Sequence, residues 1–142
     1  LIFGPRQDKF KPYPNMNFFD TKMLIASFRH AGRGLVKTVR KEQNFRFHFI
    51  IAIFVLLLAF YFKVSSLELI ILLFLIALVF ILELFNTIFE RLVDLLQPRI
   101  HHYAKEIKDI NAAVVLVAAF LSLVVGLIIF LPKIFSGLSV GN

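Results

Sequence analysis

Three long apolar runs dominate the chain: about Phe45 to Phe62, Leu67 to Phe89 and Ile110 to Leu131. Each approaches the ~20 residues that an α-helix needs to cross a bilayer. With 59% apolar residues in 142, 18 of them Phe, the chain carries more apolar surface than a soluble domain of this size can bury. In hydrocarbon every backbone polar group must be satisfied internally, so the expected fold is all-α and integral to a membrane. The four-residue link Lys63-Val64-Ser65-Ser66 makes the first two runs an antiparallel hairpin. A longer polar stretch, roughly Arg91 to Asp109, joins the second run to the third.

Ahead of the spans, residues 1–17 contain Pro5, Pro12, Pro14 and several charges, and read as an irregular leader. Residues 18–41 differ. Leu24, Phe28, Ala31, Leu35 and Val39 recur at helical spacing, with Lys22, Arg29, Arg33, Lys37, Arg40 and Lys41 around them. That pattern predicts a basic amphipathic helix lying on a membrane surface. Residues 18–142 are thus expected to form one membrane-embedded domain. No cleavable signal peptide is expected, since the first long apolar run begins only near Phe45.

Charge sets the orientation. Ten of the sixteen Lys and Arg precede the core of the first span, four lie in the second connection, and Lys63 and Lys133 stand alone. The positive-inside rule puts the amino end and the second connection in the cytoplasm, and the hairpin turn and carboxyl end outside. The net charge of +7 suits anionic headgroups. No nucleic-acid motif accompanies it, so no nucleic-acid partner is expected. Without Cys there is no thiolate nucleophile or cysteine metal site.

In the second apolar run and just past its end stand Glu83, Asn86, Glu90 and Asp94, spaced three, four and four, on one helical face. An ionisable group facing lipid costs on the order of 3 kcal/mol, so this stripe must face protein, water or a cation. Glu83 lies ~24 Å along its span at 1.5 Å per residue, near the cytoplasmic surface. Glu42, His101, His102, Lys105, Lys108 and Asp109 gather at the same mouth. Mg²⁺ takes one or two carboxylates plus substrate phosphates, and Lys meets a phosphate as a point charge. These are parts for Mg²⁺-dependent phosphoryl transfer to a hydroxyl. The spacing fits two other roles as well: the lining of an ion- or proton-coupled exporter, and helix packing in an oligomer. The pair His101-His102 lacks a third ligand for zinc, and there is no Gly-rich phosphate loop.

The stretches ELFNTIFERLVD (Glu83 to Asp94) and AKEIKDINAAVVL (Ala104 to Leu116) resemble the prokaryotic diacylglycerol kinase family, which includes undecaprenol kinases. FRHAGRGLVKTVRKEQNFRFH (Phe28 to His48) and GLIIFLPK (Gly126 to Lys133) are similar to its surface helix and its Gram-positive ending. The resemblance implies a bacterial inner-membrane homotrimer with active sites at subunit interfaces. It implies transfer of the γ-phosphate of MgATP to a membrane lipid alcohol, undecaprenol or diacylglycerol. By motif match Glu83 is the general base and Asn86 orients groups beside it. Glu42 and Glu90 hold Mg²⁺, and Lys108 and Asp109 contact ATP. His101 and His30 fall near the nucleotide, and Asp94 lies at the edge. The resemblance also admits a non-catalytic relative. Three positions depart from the usual pattern: Ile88 and Asn111 stand where small residues are common, and Ile107 where Ala is.

Overall fold

The computed structural model describes residues 21–139, with the side chains of 97–102 and 136–139 outside the described set. The expected leader, 1–17, and the expected start of the surface helix at 18–20 also lie outside it. Every element among the described residues is helical: α1 (Thr21–Lys41), α2 (Gln43–Tyr61) and α3 (Ser66–Ser139). The described residues fall into two units, 21–35 and 36–139. On the described part of the first unit, Met23, Leu24, Ile25 and Phe28 are exposed beside Arg29 and Arg33. In the second unit Thr38 is buried, and α2 begins directly after Glu42, whose backbone is extended.

The α2–α3 hairpin is closed by paired local signals. Lys63 adopts a left-handed conformation, φ 47°, directly after the end of α2. The Val64 amide donates to the Ala59 carbonyl at 3.1 Å and the Lys63 amide to the Phe60 carbonyl at 3.2 Å. This is a Schellman stop with Lys where Gly is usual. Ser65 then opens α3: its backbone N–H donates to Glu68 Oε2 at 2.6 Å, and its Oγ accepts from the Glu68 N–H at 3.3 Å. This reciprocal capping box satisfies two donors that the helix end would otherwise leave unpaired.

A straight 74-residue helix would be ~111 Å long at 1.5 Å per residue. Yet Lys133 Nζ lies 3.1 Å from Glu68 Oε2, near the opposite end of α3. The element therefore doubles back, and the reversal falls between Asp94 and Lys108, which form an ion pair. Pro98 lies in that interval and has no amide hydrogen to donate to a helical ladder. The polar stretch 91–109, expected as a connection, is helical.

Three segments are long and apolar enough to cross a membrane: Gln43–Tyr61, Ser66–Leu96 and Tyr103–Phe135. The last two, the first and second arms of α3, have 31 and 33 residues, against ~20 needed for the hydrocarbon. Each exceeds that length by about ten residues, and Glu90 to Asp94 and Lys105 to Asp109 fall at the ends of the two arms beside the reversal.

Small residues set the packing. Ala52, Ala59, Ala104 and Ala118 are buried, and Ala59, Leu72, Ile129 and Phe130 form the core at the hairpin end. At the opposite end Phe45, 3% exposed, stacks on Phe80 with ring centroids 5.2 Å apart, and Phe49 lies 6.2 Å from the same ring. Phe80 is three residues before Glu83 and Phe45 three after Glu42, so this stack sets the α2–α3 register that carries Glu42 to the carboxylate face. Most of each span remains exposed. Lipid tails are as apolar as Leu, so such a surface suits a bilayer or neighbouring helices.

Candidate active site

The carboxylate face forms as the 3.6-residue period dictates. Glu83 is 2% exposed and Asn86 4%, while Glu90 is half-buried and Asp94 exposed. The stripe thus runs from the helix-packed interior to water. Asn86 Nδ2 donates to Glu90 Oε1 at 3.2 Å, one turn away. Thr87 Oγ1 donates to the Glu83 backbone carbonyl at 3.1 Å, which leaves the Glu83 carboxylate unused by it. No described residue hydrogen-bonds that carboxylate, and no deeply buried polar atom is left unpaired, so its oxygens retain access. Glu90 stands two turns further along the same helix face.

Glu42 reaches this face from the junction of α1 and α2. Its Oε1 accepts from Arg91 Nη2 at 2.7 Å, with the two side chains 27% and 46% exposed. On the second arm, Lys108 pairs with Asp94 at the reversal, and Asp109 is exposed beside it. Asn111, one turn further in, donates from Nδ2 to Asn86 Oδ1 at 2.7 Å. Three sets of contacts thus form: Glu42 with Arg91, Asn86 with both Glu90 and Asn111, and Asp94 with Lys108.

His30 and His101 are the other two expected residues. His30 is exposed on the described part of the first compact unit. The side chain of His101 lies outside the described residues, on a helical stretch of α3. Two residues enter that the motif reading did not assign. Arg91 is the counter-ion of Glu42, and Asn111 is the partner of Asn86. Both pairings are long-range, and no local spacing reports them. Ile88, 58% exposed, and Phe89, 43%, stand on the outer side of α3, so the first of the three departures does not crowd Glu83.

The donor set suits a hard cation shared with phosphates. Among the described residues no three His, Asp or Glu side chains form a closed cage. Glu42 and Glu90 offer two carboxylates, and Glu42 already holds a cationic group in Arg91. Mg²⁺ is typically held in this way, with its remaining positions filled by water and phosphate oxygens. From Phe80 towards the hairpin turn, a cavity of about 590 Å³ opens among α2 and both arms, lined by Phe47, Val79, Phe80, Ala119, Leu123 and Phe130 among others.

A family model described as prokaryotic diacylglycerol kinase matches residues 29–130. An undecaprenol kinase of Bacillus subtilis is 46% identical over 111 residues, covering 78% of this chain and 90% of that one. A diacylglycerol kinase of Synechocystis is 35% identical over 114 residues, covering 80% of this chain and 65% of that one.

Proposed function

The chain belongs to the prokaryotic diacylglycerol kinase family and is a membrane lipid kinase, and we propose that it phosphorylates undecaprenol with MgATP. The observation that carries the mechanism is the Glu83 carboxylate: buried, not hydrogen-bonded by the described residues, and on the same helix face as Glu90. A carboxylate in that setting is short of a proton donor, and the lipid hydroxyl supplies one. Glu83 takes that proton as the oxygen bonds to the γ-phosphorus. The bond from the γ-phosphorus to the bridging oxygen breaks, and ADP leaves with its electron pair. Such a base contributes typically 10²–10⁴-fold.

Asn86 stands between the base and Glu90 and fixes the Glu90 carboxylate. Glu42 and Glu90 would hold Mg²⁺, which supplies charge neutralisation on the transferring phosphoryl group. Glu42 must first release Arg91. Lys108, held at the mouth by Asp94, swings from that carboxylate to the nucleotide phosphates. The apolar cavity one turn below Glu83 receives the lipid tail, whose hydroxyl is thereby held at the base. A volume near 590 Å³ falls in the range of sites for small organic ligands, about 300–1,000 Å³. The first helix lies on the cytoplasmic headgroups of the bacterial inner membrane. Its exposed basic and apolar residues support that reading, and the excess of Lys and Arg at the amino end and around 91–108 supports the orientation. Assembly as a homotrimer rests on the family resemblance, and the largely exposed spans leave faces for lipid or neighbouring helices.

The test is transfer of labelled γ-phosphate from MgATP by the purified protein, with undecaprenol and diacylglycerol offered side by side and EDTA as control. Label entering undecaprenol faster, and lost with EDTA, is the expected result. Faster labelling of diacylglycerol would replace the acceptor. Label on neither lipid would sink the proposal.

A further inference from the structure

Asn86 is held from both sides. Its Nδ2 donates to Glu90 on its own arm, and its Oδ1 accepts from Asn111 on the other arm. The direction of this relay follows from chemistry. An ionised carboxylate only accepts hydrogen bonds, so Glu90 draws the nitrogen end of the Asn86 amide. The oxygen end then points at Asn111, which must present its own nitrogen. At 4% exposure Asn86 has little water to replace a lost partner. Without a donor at position 111 the Asn86 oxygen would be an unpaired buried acceptor. Half a turn of the amide would then set that oxygen against the Glu90 carboxylate.

We propose that Asn111 is a positioning residue that locks the Asn86 amide, and through it aims the Glu90 carboxylate at the metal-nucleotide. This rests on the assignment of Glu90 to the metal made above. Asn111 lies across the helix reversal, so docking of the second arm against the first completes the metal side of the site. One oxygen of Glu90 is engaged by Asn86, and the other is presented to the cation in a fixed direction.

The test is Mn²⁺ binding with a non-hydrolysable ATP analogue, read by electron paramagnetic resonance on the purified full chain without lipid. Asn111→Leu keeps the volume and removes the donor. Its Mn²⁺ affinity is expected to fall about two- to tenfold, the range of one partly buried hydrogen bond. Asn111→Gln retains an amide donor and is expected to recover part of the loss. In an Asn86→Ala background the Asn111→Leu change is expected to have no further effect on Mn²⁺ affinity, which assigns the loss to the Asn86–Asn111 contact; a mere helix tie would lower the thermal midpoint of Asn111→Leu and leave its Mn²⁺ affinity unchanged. Gel filtration and the thermal midpoint report folding, and if Asn111→Leu does not fold, Asn111→Ala against Asn111→Gln gives the same comparison. Wild-type Mn²⁺ affinity in the donor-free variant overturns the inference, as does an undiminished loss in the Asn86→Ala background. If Glu90→Gln binds Mn²⁺ as the wild type does, the metal assignment itself fails and the inference falls with it.

Discussion

Removing Arg91 is expected to tighten metal binding, the opposite of what deletion of an active-site residue usually does. Arg91 and Glu42 form a 2.7 Å ion pair, with the arginine side chain 46% exposed and the glutamate 27%. An ion pair this open to water is worth ~0.2–1 kcal/mol. Any cation that takes Glu42 must first break it. In Arg91→Gln that cost disappears, and a repelling positive charge beside Glu90 goes with it. With RT near 0.59 kcal/mol, 0.2–1 kcal/mol corresponds to about a 1.5- to 5-fold gain in apparent Mn²⁺ affinity. The assay is a Mn²⁺ titration in the presence of nucleotide and absence of lipid, at two salt concentrations. The gain should shrink at 1 M salt, where the screening length falls to ~3 Å. It should vanish in a Glu42→Gln background, where there is no carboxylate left to compete for. An unchanged affinity in Arg91→Gln would mean that Glu42 is not the metal's ligand. A weakened affinity would mean that Arg91 itself grips the phosphates. Either result would refute the exchange of Arg91 for metal.

Glu83→Gln should reduce phosphoryl transfer by roughly 10²–10⁴-fold while Mn²⁺-nucleotide binding persists, and retained turnover would remove Glu83 as base. Filling the apolar cavity with Ala119→Phe should raise the KM for a long-chain lipid alcohol by about tenfold, within the 1–3 kcal/mol range of overpacking, and leave the KM for ATP unchanged. Equal effects on both substrates would argue against a tail site there. Ser65→Ala removes the hydroxyl half of the capping box and should cost ~1 kcal/mol, seen as a lower thermal midpoint in detergent with activity per folded molecule preserved. Lys63→Gly should move the midpoint the other way by up to ~1 kcal/mol, because Gly adopts φ 47° without the Cβ clash.

Much of this protein is written in short-range pattern. Apolar runs of span length leave the helix as the only backbone that satisfies itself in lipid, and the number of crossings follows from them. The spacing of Glu83, Asn86, Glu90 and Asp94 puts them on one face because the helix repeats every 3.6 residues, whatever lies around it. The motif around these residues carries the kinase identity, and the family match over 29–130 agrees with it. The helical character of 91–109 was less legible, because Arg, Asp, Lys and His there look like a solvated connection. Both arms continue as helices beyond the apolar runs from which spans are read.

Pairings between distant residues were decided only by the tertiary structure. Arg91 reaches back 49 positions to Glu42, Asn111 crosses 25 to Asn86, and Lys108 crosses 14 to Asp94. None has a helical period, so each depends on where α3 reverses and on the register at which Phe45 and Phe49 meet Phe80. The contrast within the carboxylate stripe has the same origin. All four residues share a face by sequence, but Glu83 and Asn86 are buried where the chain folds back, Asn86 against Asn111 of the second arm, while Asp94 is exposed. Periodicity decides which side of a helix a residue occupies. What that side meets is decided by the chain folding back on itself, and so is the separation of base, metal holder and edge charge along one stripe.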